Sequence, residues 1–540
     1  MCAVAFAALA CGPGAAQERL ALLAQPGPWS AVSGLVGYGE RLWLVNSVLF
    51  VNHNSADIYS FDPKTGVVRY EAHLFSQGAG QPAVADGLLY WPFEDARSSV
   101  GRGEFMVTDG RRWAWHFLPQ GQVFHVHAMI AHEGAIYAAT SAWRAGVQRS
   151  DDGGRTWRVH YEHPSAPRTV SRFTTLAAFG GELYAGLTAW REKGVKLYRL
   201  TGNGAVPATA WPEGQAVTAL AAYAGWLYGV NHGTAGSVLW RTNGAIAEPI
   251  AAFAAERVRD LAAADDRLWA VTARPGGGAL WSSRDGVAWT LAQEFKGAQP
   301  ADLAVYAGRV YVGTIGPQGR GGLWGPPPPT PVEAAAPTPA PPSPWRSNAQ
   351  GLAHALGVLD RALAAPAGHA HHGEALRAAV RALVSRGSPA VGTALQRRLD
   401  RPGSDRSVRL FGGGLTVPAV TLERWYLLWG LAFNGHGRVP PAYLTAPWRQ
   451  EPNPAEKYLE PAPMAMWAAG RLGQNDEATI AALIEALGRT GEAPWLNGDR
   501  IGALTALTGE RFGYDFAGWR AWWAARRRAG PHGKSTGPAR

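Results

Sequence analysis

The chain has almost no cysteine. Its only two, Cys2 and Cys11, lie at the extreme N-terminus of 540 residues. Beyond that point a thiol nucleophile, a Cys-ligated zinc and disulfides are excluded. Lysine is nearly as scarce, at six of the 51 basic residues. The net charge of +10 therefore rests on scattered arginine, with one run of three at Arg526-Arg527-Arg528. A nucleic-acid interface needs a clustered basic stripe, so no nucleic-acid partner is expected. The arginine bias reads instead as the mark of a GC-rich bacterial genome. No stretch reaches the ~20 apolar residues that span a bilayer, so the chain is not expected to be transmembrane.

What the N-terminus does hold is a short apolar run, Ala3 to Ala10, followed by Gly12-Pro13-Gly14-Ala15-Ala16-Gln17. It has the shape of a secretory signal, with cleavage after Ala16 and a signal peptide over 1–16. The expected location is periplasmic or extracellular. An alternative is a surface lipoprotein anchored by a lipid on Cys11. A third is a cytosolic chain, since no basic segment precedes the run.

Over 17–325 a Gly turn recurs before a Leu-aromatic strand. The anchors are Trp43, Tyr90, Tyr137, Tyr184, Tyr228, Trp269 and Tyr311, spaced by 47, 47, 47, 44, 41 and 42 residues when their numbers are subtracted. Alternating apolar positions and Gly/Asn/Asp turns mark short antiparallel strands. A period of this size built from such strands predicts an all-β, seven-bladed propeller. The seventh repeat lacks an outer strand, and Leu20–Leu23 is unassigned. Leu20–Leu23 is therefore expected to pair beside Leu323-Trp324 and close the ring.

Residues 326–344 are dominated by proline and read as a semi-rigid linker. Beyond it, over 345–530, the apolar period becomes helical. Leu352, Leu356, Val358, Leu359 and Leu363 form one stripe, and Leu376, Val380 and Leu383 another. Further helices are predicted at 420–433, 456–472, 477–488, 498–508 and 516–528. Together they make a separate all-α helical-repeat domain, followed by a disordered tail over 531–540.

Ser150-Asp151-Asp152-Gly153-Gly154-Arg155-Thr156-Trp157 fits the pattern Ser-x-Asp-x-Gly-x-Thr-Trp at every fixed position. Ser283-Arg284-Asp285-Gly286-Val287-Ala288-Trp289 is a version one residue shorter, and Thr108 to Trp113 is a degenerate third. These repeats resemble Asp-box, or BNR-repeat, propellers of the sialidase-like superfamily. The resemblance assigns structural roles to Ser150, Asp152, Gly154, Thr156, Trp157, Ser283, Asp285, Gly286 and Trp289. It implies no catalytic residues, because no sialidase-type Phe/Tyr-Arg-Ile-Pro motif occurs. The segment from Leu507 to Trp523 resembles the closing helix of HEAT-like repeat proteins.

In a propeller, the starts of inner strands and the loops after second strands share one face. His125 and His127 are two apart on an inner strand and point to one side. Such a pair can serve a metal only with a third ligand, so no metal or cofactor is expected. Trp143-Arg144 and Trp190-Arg191 follow second strands, as do Asn52-His53 and Asn231-His232, and Glu94, Asp95 and Arg97 hold the equivalent place in the second repeat. Arg259 falls among the channel positions, with Asp260 and Asp302 one place later in their strands. Trp beside Arg suits sugar rings and anionic groups. It equally suits packing against a neighbouring blade. The histidines at 369, 371 and 372 lack a rigid scaffold for a designed metal site.

The favoured function is an exported binding or scaffold protein that holds a glycan, peptide or protein partner on this face. The alternative is a propeller enzyme acting on carbohydrate, a glycoside hydrolase or lyase, using carboxylates such as Glu94 and Asp95. No nucleophile–base–orienter set is readable, so the balance leans away from catalysis.

Overall fold

The structure is a computed structural model that describes residues 19–48, 56–74, 76–96, 103–111, 113–118, 123–141, 144–165, 170–234, 236–253, 256–264, 266–316, 319–328, 352–364, 376, 379–380, 383, 388–400, 407–410, 415–445, 461–492 and 494–529. The expected signal peptide, Cys11, most of the proline-rich linker, the tail and the histidines at 369, 371 and 372 lie outside them. So do His53, Arg97 and Trp143.

Strands dominate the first 325 residues and helices the rest. The strands pair antiparallel along the chain in curved sheets, giving a propeller-like fold. A representative unit is Ala135–Ser141 between His125–His132 and Ala145–Ser150, with Arg158–Glu162 outermost. Neighbouring units touch through their innermost strands. At two junctions a single pair also joins an innermost strand to the end of the neighbouring unit's second strand, Ala31 with Ile315 and Ala216 with Thr188. At the N-terminus Ala21–Ala24 lies antiparallel to Gly322–Gly325, with Leu22 opposite Trp324. The pairing expected from the unassigned Leu20–Leu23 is therefore present, and it covers a sheet edge.

The period has a physical cause. All seven aromatic anchors are buried, and two of them reach the outer turn of the following repeat. Tyr90 Oη donates to the carbonyl of Gly153 at 3.2 Å, and Tyr228 Oη to that of Asp285 at 3.4 Å. Those turns are built as their sequence requires. Asp152 accepts from the amides of Arg155 and Thr156 and from the Thr156 hydroxyl, while the Gly154 amide donates to Ser150 Oγ. The Thr156 hydroxyl and amide are the main cause that lowers the Asp152 carboxyl to about 2. Trp157 is buried and donates to the carbonyl of Gly154. Asp285 repeats the arrangement with the amides of Val287 and Ala288. Thr242-Asn243-Gly244 also repeats it, with Asn243 Oδ1 accepting from Ala245 and Ile246. In the sequence that segment reads only as a polar turn.

Gly286 sits at φ +74°, and a Cβ there would lie 1.8 Å from Tyr228 Oη. Gly276 has a similar φ of +79° but open space around it. We expect Gly286→Ala to cost about 2–4 kcal/mol and Gly276→Ala only about 1, because overpacking adds to backbone strain in the first alone. Urea denaturation of both variants measures the difference, and equal losses would refute the role given to the turn.

The helices observed are Leu352–Ala364, Pro389–Leu399, Ala419–Asn434, Pro441–Thr445, Pro461–Arg471, Glu477–Glu485, Leu496–Thr508 and Phe516–Ala529. Pro389–Leu399 and the short Pro441–Thr445 are additions to the expected set. The first has a readable start: Ser388 caps it by accepting from the Val391 amide, and proline fills its first turn. A hairpin, Ser407–Leu410 with Leu415–Pro418, interrupts the helical region, which is therefore not purely α.

The helical region docks on the first β repeat, and the buried apolar side chains of both form one continuous core. The contact centres on Asp57 in strand Ala56–Phe61. Its carboxylate accepts from Trp29 Nε1 at 2.8 Å, Tyr514 Oη at 2.8 Å and His73 Nδ1 at 2.8 Å. His73 Nε2 faces Asp499 Oδ1 at 3.3 Å. The helix can approach so closely because Gly498 and Gly502 stand over the ring; a Cβ on Gly502 would lie 2.8 Å from His73 Cβ. Arg511 pairs with Glu71 beside this cluster. Burial alone would discharge the imidazole, but the two carboxylates outweigh it and raise His73 to about 9.

Candidate functional site

The inner strands share a bulge, seen as a register shift at Val126/Ala128, Phe173/Thr175, Val258/Asp260 and Pro300/Asp302. The extra residues are His127, Thr174, Arg259 and Ala301. A bulge re-aims a side chain; the extra residues His127 and Thr174 and the in-register Thr218 make a repeated contact. His127 Nε2 meets Ser141 Oγ at 2.9 Å, Thr174 Oγ1 meets Thr188 Oγ1 at 3.5 Å, and Thr218 Oγ1 meets His232 Nε2 at 2.9 Å. In each case the partner is 14 residues later, at the end of the second strand.

His125 and His127 stack at 5.3 Å between ring centroids, and His125 Nδ1 reaches the same Ser141 hydroxyl at 3.1 Å. Burial, then His125 and Arg172, push His127 well below the usual imidazole range. Among the described residues no three His, Cys, Asp or Glu side chains converge as metal ligands. The Ser141 hydroxyl is also buried, which removes it from substrate.

Trp190 is 54 % exposed and meets His232 edge-on at 6.1 Å. His232 is fixed between Thr218 and Ser237, whose Oγ lies 2.7 Å from Nδ1. Burial and then Arg257 lower it to about 4, so it is neutral near pH 7. The expected loop position of His232 is corrected: it lies within strand Trp226–Gly233, paired with Ala216. Glu94 and Asp95 are likewise in a strand rather than a loop, Leu88–Ala96, where Glu94 stands opposite Gly78. The second strand runs longer here because Ser76–Ala79 pairs with its end.

Arg144 pairs with Glu162 at 2.9 Å on the surface, so it is already occupied. Arg191 is exposed beside Trp190. Asp260 and Asp302 do not offer themselves to a ligand in the channel. Asp302 accepts from the amide of Leu35 and Asp260 from that of Leu303, each in the next inner strand. Burial, then Asp302, push Asp260 well above the usual carboxylate range, and the two carboxyls share a hydrogen bond.

The face thus collects Trp190, His232, Arg257 and Arg259, with His125, His127 and Arg172 on the neighbouring inner strands. Sequence pattern alone does not single out Arg172 or Arg257. A signal was there, since Arg257 and Arg259 have the same two-residue spacing as His125 and His127. A separate cleft of about 730 Å3 lies at the domain junction, lined by Pro28, Tyr70, Arg320, Arg511 and Tyr514 among others. Its arginines are committed, Arg320 to the carbonyls of Gln25 and Gly27 and Arg511 to Glu71.

The protein is thus a propeller-like β domain with a docked helical domain. No known family profile matches the chain, and no curated protein matches it. Solved structures with similarity include one described as YCF48 bound to D1 peptide, 13% identical over 61% of this chain and 99% of that one, with a TM-score of 0.39. A structure of the mitotic checkpoint complex is 12% identical over 60% of this chain and 99% of the matched one, with a TM-score of 0.41. The extracellular domain of the one-component system BT4673 from B. thetaiotaomicron is 12% identical over 57% of this chain and 40% of that one, with a TM-score of 0.40. Likeness this slight does not bear on function. No helix among the described residues is long and apolar enough to cross a membrane.

Proposed function

We propose that the chain is an exported binding protein that holds a glycan, peptide or protein partner on the face bearing Trp190 and His232. In this reading 17–325 is a seven-bladed Asp-box propeller, each 8-stranded sheet being two blades joined by one residue pair. Residues 1–16 are a signal peptide, 326–344 a tether and 345–530 a HEAT-like partner domain. The observation that carries the binding reading is Trp190. It is a large ring left 54 % exposed beside a fixed, neutral imidazole. A packing role would bury it, whereas a binding surface presents such rings.

The alternative of a carbohydrate-acting enzyme gains no support from the Asp260–Asp302 pair, which is half-buried and committed to backbone amides. The test is a glycan and peptide array on the full chain beside Trp190→Ala. We expect the variant to keep its thermal midpoint and to lose roughly tenfold in affinity, the scale of one stacking contact. A ligand bound equally by both proteins would remove Trp190 from the site.

A further inference from the structure

Among the described residues the register of the inner strands leaves two places without the repeated contact: Ser47 Oγ, fourteen residues after Ser33, is buried with no partner, and so is Arg259 Nε, the only charged group of the two. His127, Thr174 and Thr218 each find a hydroxyl or imidazole 14 residues later. For Arg259 the same position is Ala273, at the end of strand Arg267–Arg274, which offers no side-chain acceptor. Arg259 Nε is accordingly buried with no hydrogen-bond partner. Arg257, two residues earlier in the same strand, is exposed. Among the described residues no carboxylate pairs with Arg257, Arg259 or Arg172.

The nearest acids in sequence are engaged elsewhere. Glu256 pairs with Arg274 and Thr272, and Asp260 accepts from Leu303. Burial and the neighbouring Arg257 lower Arg259 from the usual guanidinium value. An arginine left this way is under-solvated and lacks a counter-charge. A carboxylate supplies both at once through two parallel hydrogen bonds. Trp190 meets His232 edge-on, and His232 stands opposite Ala216 at the start of the inner strand Ala216–Tyr223, which packs beside the strand that Arg257 begins.

We propose that Arg257 and Arg259 form a socket for the carboxylate of an acidic sugar, a uronate residue whose ring stacks on Trp190. This rests on the loop-face reading above. The flat exposed indole beside the socket favours a pyranose over an acidic peptide. Calorimetry on the full chain tests it with three probes: tetragalacturonate, the neutral cellotetraose, and a tetraglutamate peptide.

Tetragalacturonate is expected to bind at least tenfold more tightly than cellotetraose. Arg257→Gln and Arg259→Met should each lose roughly tenfold or more, the scale of a charge-assisted pair. Arg257 is exposed, so its variant still tests the socket if Arg259→Met fails to fold. Equal binding of the neutral sugar, or unchanged affinity in Arg257→Gln, overturns the socket. If Trp190→Ala still abolishes that binding, the loop-face reading survives without it. Binding of the peptide but not of galacturonate overturns the sugar. If none of the three probes binds, the socket fails, and the array on the full chain then decides the loop-face reading separately.

Discussion

Asp57→Asn is expected to cost about 3–5 kcal/mol, the range for breaking a buried ion pair by removing one partner. The substitution keeps the shape but puts an amide donor among three donors, Trp29 Nε1, His73 Nδ1 and Tyr514 Oη. Two of these belong to the β part and one to the helical part, so the loss falls on the junction. Tyr514→Phe should remove only one hydrogen bond, about 1–3 kcal/mol. The interface is also pH-dependent. His73 is raised to about 9 in the folded protein, above its ordinary 6.5. Its contribution is therefore fully present below about pH 6.5 and is lost as pH rises through 9. At about 1.4 kcal/mol for each unit between the two values, it amounts to about 3 kcal/mol. Asp499 acts in the same direction at acid pH, because burial pushes its carboxyl up. Denaturation of wild type and His73→Asn at pH 6, 8 and 10 isolates the His73 contribution. The wild type should weaken steeply between pH 8 and 10 and the variant should not. Parallel slopes would contradict the assignment.

Removing residues 1–25 is expected to have an effect of similar size. It takes away the strand opposite Gly322–Gly325 and exposes that edge. It removes Leu20, which is buried and exchanges hydrogen bonds with Gln293. Arg320 also loses the Gln25 carbonyl. Burial of Leu20 alone is worth about 1.5–3 kcal/mol, and the ladder and Leu23 add to it. The truncated chain should melt earlier and associate through the open edge. Thermal scans and size-exclusion chromatography check both effects. A truncated protein that stays monomeric with an unchanged midpoint would refute closure by this strand.

The repeat was legible because each unit buries one aromatic anchor from its second strand, and Tyr90 and Tyr228 also meet the outer turn of the next unit, so the spacing carries the packing. The closing strand was legible because a unit was short by one strand and an apolar segment was unassigned. The domain junction was not. Nothing in the sequence distinguishes His73 from any other histidine, and its partners lie at Asp57 and Asp499. Gly498 and Gly502 mark the close approach only once the strand beneath them is known. The candidate site was half legible. Two-residue alternation found His125 and His127, and Trp-Arg pairs found Trp190. Arg257 escaped because only the bulge, together with Ala273 at the partner position, shows that Arg259 is left without an acceptor. Glu94, Asp95 and His232 were placed in loops because strand ends cannot be read from turn residues when a neighbouring strand extends the ladder.

A ligand is expected on the face carrying Trp190 rather than at the domain junction. Hydrogen exchange of the full chain, with and without a ligand found on the array, tests it directly. New protection is expected at 188–191, 230–234, 236–237 and 257–260. Protection confined to 24–28 and 511–515, which line the cleft between the domains, would contradict it.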